Sequence, residues 1–365
     1  MTRRATVIGA VLSCIGLPPL FVLISAASYD LANRTTGTMT TSAGQAREYI
    51  LYVPKSYDRA KPTPLVISIH GAENWPSFQM NLTRWNTLAE EHGFIVVYPA
   101  GEGEGPKTWH LGGEQTPLRM PDVVFISELI DKLEASYNID PARIYANGLS
   151  NGGGVTFALS CTLPHRIAAF APVAAAVTLP ADWCPGAPPA PMIAFHGTGD
   201  RIVPYDGGKV SLAPDPFPSI PEWTANWARR NRCARNPVES AAAPDVTRLE
   251  YIHCADDASV MLYTIQGGGH TWPGGKPMPE WLVGPTSRSI DATSLMWAFF
   301  REHPLRTPVG GGASSRRTAE ERGGGRKALP YGPESGIART SRLIPRRPSR
   351  RARPLIDATA SGGDT

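Results

Sequence analysis

Short apolar runs alternate with longer amphipathic stretches over most of this chain. The apolar runs predict strands at 49–53, 65–69, 94–98, 143–147, 192–195 and 260–265. Helical spacing follows at 82–92, 122–137, 152–160, 220–231 and 289–302. Strands that are apolar throughout are buried on both faces, and their alternation with helices is typical of a parallel sheet covered on both sides. The pattern predicts a single α/β domain with a mostly parallel central sheet.

This pattern is confined to residues 46–304. Residues 28–45 are small and polar and predict a flexible lead-in. Residues 305–365 combine glycine runs with Arg-Arg pairs and too few apolar residues to fold, which predicts a disordered basic tail. From Pro304 onward the chain has 13 Lys and Arg against 5 Asp and Glu, so the overall charge of +4 leaves the body at −4. Because residues 1–303 are acidic overall and show no basic face, the sequence does not predict binding of nucleic acid.

The first 27 residues have the composition of an export signal. Arg3 and Arg4 precede an apolar stretch at 5–24, and small residues follow at 25–27. The expected location is therefore extracellular, with no stable membrane span once the signal is removed. Two alternatives are a retained membrane anchor, which Pro18 and Pro19 would interrupt, and a lipid anchor on Cys14.

Export makes the remaining cysteines informative. Cys161, Cys184, Cys233 and Cys254 form an even set, and four cysteines allow three pairings. The pairs Cys161–Cys184 and Cys233–Cys254 close the shortest loops and are the pairing we expect. The alternative of four buried thiols fits an oxidising compartment less well.

A Gly-x-Ser-x-Gly turn lies between a predicted strand and a predicted helix. The motif alone is weak, because glycine makes up about a tenth of the chain. Strand 143–147 before the turn and helix 152–160 after it are the setting of a nucleophile elbow, which predicts Ser150 as a nucleophile. The alternative is a plain glycine-rich turn.

A serine hydroxyl needs a base, and the base needs an orienting acid. His270 follows the strand at 260–265 through a glycine-rich loop, late in the chain. Asp200 follows the strand at 192–195, so the three residues occur in the order Ser, Asp, His, which is the order found in hydrolases with a nucleophile elbow. Asp206 is the alternative acid.

The oxyanion of such a reaction is stabilised by backbone N–H groups of the residue after the nucleophile and of a loop after an early strand. These are Asn151 and Ala72. Trp75, Trp109 and Trp272 are candidates for a substrate-binding cleft, with packing roles as the alternative. No His and Cys spacing predicts a metal site, and the chemistry requires no cofactor.

Together these motifs resemble the secreted polyhydroxybutyrate depolymerase and feruloyl esterase family. The resemblance is carried by the segments at 137–141, 196–200, 203–208, 267–274 and 290–293 and by the paired cysteines, and it covers about residues 46–304. It implies an α/β-hydrolase fold, ester hydrolysis and no cofactor, with Ser150, Asp200 and His270 as the triad. The sequence departs from the family after His70-Gly71, where the larger segment 72–75 replaces small residues.

The combined prediction is a secreted carboxylic ester hydrolase that acts through an acyl-enzyme. The expected substrates are polyhydroxyalkanoates or the feruloyl and acetyl esters of plant polysaccharides. One alternative is a serine peptidase of the same fold. The other is a catalytically idle protein that binds a polymer or carbohydrate.

Overall fold

One sheet organises the part of the chain that is described. The computed structural model describes residues 36–110, 120–175, 184, 186–209 and 216–306. The strands of these residues are β1 (Gly37–Thr40), β2 (Ala46–Tyr52), β3 (Thr63–Ile69), β4 (Ile95–Pro99), β5 (Ile139–Leu149), β6 (Ala169–Val173), β7 (Met192–Gly197), β8 (Val238–Ala243), β9 (Val246–Tyr251) and β10 (Val260–Ile265). They lie in the order β1-β2-β4-β3-β5-β6-β7-β10-β9-β8.

The strands from β4 to β10 in that order pair in parallel, and the strands outside them pair antiparallel. The mostly parallel central sheet is therefore confirmed. Successive side chains of a strand point to opposite faces of its sheet. Ile67 of β3 packs into one buried apolar cluster and its neighbour Val66 into a second, so the sheet is covered on both sides.

Seven helices of the described residues accompany the sheet. They are α1 (Pro76–Thr83), α2 (Trp85–His92), α3 (Pro121–Ser136), α4 (Asn151–Thr162), α5 (Ile220–Arg230), α6 (Glu280–Val283) and α7 (Ala292–Glu302). Local chemistry sets where some begin: Asp291 accepts a hydrogen bond from the Ser294 N–H at 2.8 Å, and the Ser219 hydroxyl accepts one from the Glu222 N–H. Such side chains satisfy N–H groups that a helix leaves unpaired at its start.

Several elements differ from the pattern-based prediction. The single helix expected at 82–92 is two helices, because Arg84 takes a left-handed conformation with φ 59° between them. Part of the lead-in expected to be flexible forms β1, which pairs with β2. The β8–β9 hairpin was not predicted, because its half-exposed strands lack the continuous apolar runs of the central ones. The buried central strand β6, which contains Pro172, was not predicted either.

The predicted signal at 1–27, with Cys14, lies outside the described residues. So does the predicted tail, except that the Leu305 N–H bonds the Ala142 carbonyl and so extends the ordered domain slightly past 304. The described residues belong to one compact unit, Met1–Gly310, and the second unit, Gly311–Thr365, lies wholly outside them. Within the described ranges, no helix has both the length and the apolar character needed to cross a membrane.

Candidate active site

Ser150 occupies a strained turn between β5 and α4. Its backbone has φ 56° and ψ −118°, a combination that residues with a side chain rarely adopt. The neighbouring strand β6 and the helix α4 hold it there: the Ser150 N–H bonds the Val173 carbonyl at 2.9 Å, and the Ser150 carbonyl accepts the Gly154 N–H at 3.0 Å. The turn therefore has the geometry of a nucleophile elbow.

The two glycines of the motif are required by close backbone contacts. A Cβ atom on Gly152 would lie 2.4 Å from the carbonyl oxygens of both Ile69 and His70. One on Gly148 would lie 2.3 Å from the Gly152 carbonyl oxygen. The missing side chains let the turn approach the end of β3, which carries the second half of the predicted oxyanion site.

Asp200 and His270 are brought together although 70 positions separate them in the chain. β7 and β10 are parallel neighbours, so the loops that leave their carboxyl ends lie side by side. Nδ1 of His270 lies 2.8 Å from Oδ2 of Asp200, and both residues are buried. Because a carboxylate only accepts hydrogen bonds, Nδ1 carries the proton and Nε2 is free to act as a base.

The environment of Asp200 favours its charged form. Burial opposes ionisation, but hydrogen bonds from His196 and His270 outweigh it and hold the pKa of Asp200 well below its usual range. The other carboxylate oxygen, Oδ1, accepts the Ile202 and Val203 N–H groups at 2.9 and 2.8 Å. The carboxylate is therefore an ionised, fixed partner for the His270 ring.

Asn151 and Ala72 lie on the two sides of the predicted oxyanion site. Asn151 is the first residue of α4, where N–H groups have no acceptor inside the helix. Ala72 is exposed and follows Gly71. A Cβ atom added to Gly71 would lie 3.4 Å from Cβ of Ser150. The structure thus places both candidates beside the nucleophile turn.

His70 stabilises the loop that leads to Ala72. Its Nε2 accepts the Gly101 N–H at 3.0 Å, so its proton is on Nδ1, which donates to the Gly71 carbonyl at 2.7 Å. Burial lowers the pKa of His70 to about 4, against the opposing effect of the bond to Gly71. A neutral imidazole in one tautomer therefore fixes the loop.

Trp109 was expected in a substrate cleft, but its side chain is only 2% exposed and lies behind the oxyanion site. Its Nε1 donates to the His70 carbonyl at 2.9 Å. Its backbone N–H donates to Oδ1 of Asn151 at 2.9 Å. Trp109 therefore connects the two segments of the predicted oxyanion site from within the protein.

Trp272 is likewise not at a surface. Its side chain is fully buried in the core, and its Nε1 donates to the Thr293 hydroxyl at 2.9 Å. The expectation of a substrate contact is wrong for this side chain, because no part of it reaches solvent. Trp75 remains a candidate: it is half-buried, with the Lys107 ammonium 5.9 Å from the centre of its ring.

Sequence reasoning missed a buried ion pair behind the site. Nη2 of Arg47 lies 2.6 Å from Oδ1 of Asp122, and Oδ2 of that carboxylate accepts the His110 N–H at 2.7 Å. Burial raises the pKa of Asp122 against the favourable charge of Arg47. The pair anchors the backbone at His110, next to Trp109. No sequence signal links two residues 75 positions apart.

The expected cysteine pairing is confirmed. Cys161 bonds Cys184, and Cys233 bonds Cys254. Both bridges lie on the periphery of the core cluster that contains α4 and α5. Among the described residues, no cluster of three or more His, Cys, Asp or Glu side chains has metal-binding geometry.

Comparison with known proteins points to esterases. Residues 47–182 match the family model described as esterase PHB depolymerase. The bifunctional acetylxylan esterase/xylanase XynS20E of Neocallimastix patriciarum is 28% identical over 83% of this chain, which spans 39% of that protein. Feruloyl esterase B of Piromyces equi is 31% identical over 63% of this chain, which spans 44% of it.

The putative esterase NocK of Nocardia uniformis is 30% identical, with 70% of this chain matching 79% of that protein. Among solved structures, an acetyl xylan esterase from Aspergillus awamori superposes with a TM-score of 0.51 at 18% identity. That match covers 72% of this chain and 98% of that chain, and it supports the fold.

The fold and these relatives define the class as carboxylic ester hydrolases with an α/β-hydrolase fold. Within it, the chain belongs to the esterase PHB depolymerase family.

Proposed function

We propose that this chain is an exported serine ester hydrolase with Ser150 as nucleophile, His270 as general base and Asp200 as the orienting acid. The observation that carries the proposal is the 2.8 Å contact between Nδ1 of His270 and Oδ2 of Asp200, at the sheet edge that also carries the strained Ser150 turn. The buried, ionised carboxylate would stabilise the imidazolium that forms when the base takes a proton.

The reaction proceeds in two acyl-transfer steps. Oγ of Ser150 attacks the ester carbonyl carbon while Nε2 of His270 takes the serine proton, and the backbone N–H groups of Asn151 and Ala72 stabilise the oxyanion. The intermediate collapses, the carbon–oxygen bond to the alcohol breaks, and His270 returns the proton to that alcohol. Water then attacks the acyl carbon while Nε2 of His270 takes a proton from it. The bond from the acyl carbon to Oγ breaks, the acid is released, and His270 returns the proton to Oγ of Ser150.

The substrate we propose is an acyl ester on a polymer. The relatives named acetylxylan esterase and feruloyl esterase support acetyl or feruloyl esters of plant polysaccharide as substrates. The family description, esterase PHB depolymerase, supports hydroxyalkanoate polyesters. The half-buried Trp75 and the exposed Ala72 lie in the segment that departs from the family pattern, beside the nucleophile. We propose that this segment contributes to the choice of acyl group.

Export is the second part of the proposal. The two disulfides support it, because such bonds persist in oxidising compartments and are rare in reducing ones. The charged start and apolar stretch of the first 27 residues supply the signal. Mass spectrometry of the secreted protein would find a new N-terminus near residue 27, whereas an intact Met1 or a lipid on Cys14 would contradict cleavage.

A fluorophosphonate probe tests the triad directly. We expect stoichiometric labelling of Ser150, identified by peptide mass spectrometry, and loss of both labelling and esterase activity in Ser150→Ala with an unchanged circular dichroism spectrum. Ser42→Ala, at an exposed turn, is the matched control and keeps full activity. Retained turnover in Ser150→Ala would refute the assignment.

A substrate panel separates the remaining possibilities. Acetylxylan, methyl ferulate, a hydroxybutyrate oligomer and a peptide amide are compared under identical conditions. Hydrolysis of one ester well above the others names the acyl group. Hydrolysis of the peptide with little ester turnover would indicate a peptidase instead.

A further inference from the structure

A second imidazole contacts the carboxylate of Asp200. His196 is the next-to-last residue of strand β7 and is buried. Its Nε2 lies 3.4 Å from Oδ2 of Asp200 and 2.9 Å from the carbonyl oxygen of Val203. Oδ2 is the same oxygen that contacts His270 at 2.8 Å. One carboxylate oxygen is therefore placed between two histidine rings.

The contact with Val203 determines where the His196 proton is. A carbonyl oxygen can only accept, so the nitrogen beside it must be the donor, and Nε2 of His196 carries a hydrogen. Its hydrogen bond is to the Val203 carbonyl, and Oδ2 of Asp200 is a second, longer contact of the same nitrogen at 3.4 Å.

Four groups surround the carboxylate of Asp200. The Ile202 and Val203 N–H groups bind Oδ1, the ring of His270 binds Oδ2 at 2.8 Å, and Nε2 of His196 lies 3.4 Å from Oδ2. The backbone donors restrain one oxygen, but rotation of the carboxyl group about that oxygen would carry Oδ2 away from His270. The Nε2–H group of His196, close to Oδ2, would oppose such rotation.

We propose that His196 is a positioning residue for the triad, whose Nε2–H holds Oδ2 of Asp200 in line with Nδ1 of His270. This inference rests on the proposed function, because it acts through the acid and base assigned there. His196 touches neither substrate nor Ser150 in this account. Its effect on the reaction passes entirely through the carboxylate.

The shared oxygen also has an electrostatic consequence. Donation from His196 withdraws charge from Oδ2 and so weakens the support that Asp200 gives to a protonated His270. The titratable groups that face the carboxylate are His196 from β7 and His270 from the loop after β10; the Tyr205 ring lies 6.1 Å from the His196 ring. Without the donor, we expect His270 to hold its proton to higher pH.

Two amide variants differ only in reach. The side-chain nitrogen of glutamine in His196→Gln can occupy the position of Nε2, whereas that of asparagine in His196→Asn falls short. Tyr205→Phe is the control, because it removes the hydroxyl bonded to Thr264 beside the same ring without touching Asp200. The readout is the rate of Ser150 labelling by a fluorophosphonate from pH 4.5 to 9, together with kcat and KM on a nitrophenyl ester.

For His196→Asn we expect the acid midpoint of the labelling rate to move up by about half a pH unit or more. We also expect a plateau rate and kcat about tenfold lower, with KM nearly unchanged. His196→Gln restores both quantities, and Tyr205→Phe leaves the midpoint at the wild-type value. A packing role alone would lower stability without moving the midpoint.

A folded His196→Asn protein with the wild-type midpoint and plateau would overturn the inference while leaving the triad intact. Absence of Ser150 labelling in the wild-type protein would instead overturn the proposed function.

A measurement on the wild-type protein covers the case in which variants do not fold. Nitrogen-15 chemical shifts of labelled histidine distinguish the two neutral tautomers. We expect His196 with its proton on Nε2, and a His196 resonance of the opposite tautomer would overturn the inference.

Discussion

The side-chain amide of Asn151 makes two hydrogen bonds with the backbone of Trp109, one to its N–H group and one to its carbonyl group. Oδ1 of Asn151 accepts the Trp109 N–H at 2.9 Å, and Nδ2 donates to the Trp109 carbonyl at 3.3 Å. Trp109 in turn donates to the His70 carbonyl. The two segments that we propose to carry the oxyanion donors are therefore connected through one buried tryptophan.

This connection predicts that Asn151→Ala lowers kcat, although the variant keeps the backbone N–H group that we propose as an oxyanion donor. The backbone N–H remains, so the cost should be smaller than the factor of about 10²–10³ seen when an oxyanion donor is removed. We expect kcat on a nitrophenyl ester to fall about tenfold with little change in KM. Asn86→Ala, at the distant contact with Tyr98, is the control. Unchanged kcat in Asn151→Ala would contradict the link.

Gly152→Ala tests the close approach of the nucleophile turn to β3. The added methyl group would lie 2.4 Å from two carbonyl oxygens, so the backbone must shift. Overpacking of this kind costs about 1–3 kcal/mol or more in the free energy of unfolding, and here it would also displace Ser150. Urea denaturation and probe labelling measure both effects.

Gly105→Ala is the matched control for that substitution. Gly105 has open space where its side chain would be. The Gly105→Ala protein should therefore have the same stability and the same labelling rate as the wild-type protein. Equal behaviour of the two alanine variants would show that the turn tolerates a side chain.

The buried His70 predicts a pH dependence of stability. Its pKa is about 4 in the folded state and about 6.5 in the unfolded state, so the unfolded state binds the extra proton first as pH falls. The stability contributed by neutral His70 is complete above pH 6.5 and decreases as pH falls to about 4, by up to about 3 kcal/mol. Urea midpoints across this range measure the decrease.

His70→Asn is the comparison, because its side-chain amide can still donate to the Gly71 carbonyl and does not titrate. The difference in unfolding free energy between wild type and variant should shrink from pH 7 to pH 4. A constant difference would mean that His70 is protonated in the folded protein or accessible to water.

Substitutions of Trp272 distinguish a role of this side chain in core packing from a role in substrate binding. Its side chain is fully buried, so Trp272→Ala should lower the free energy of unfolding by about 3–5 kcal/mol. Trp272→Phe keeps most of the packing and loses the bond to Thr293, at a cost of about 1–3 kcal/mol. KM of the folded Trp272→Phe protein should match wild type, and a raised KM with unchanged stability would restore a role in the cleft.

The alternation of strands and helices and the order Ser150, Asp200, His270 can be recognised from the amino-acid sequence alone. Apolar periodicity reports burial, and a strand–turn–helix signal is local, so both can be recognised without a structure. The paired cysteines were found for a similar reason, since the shortest loops leave few choices. Even His70 and His196 were visible as residues that end a strand before glycine, although their partners were not.

Only the tertiary structure decided what lies beside these residues. Whether a tryptophan faces a cleft or the core depends on which elements pack against it, and its loop context does not reveal this. The Arg47–Asp122 pair joins the antiparallel strand β2 to the start of α3, two segments that no local pattern relates. The contact of His196 with Asp200 depends on how the loop after β7 folds, which the spacing of the two residues does not reveal.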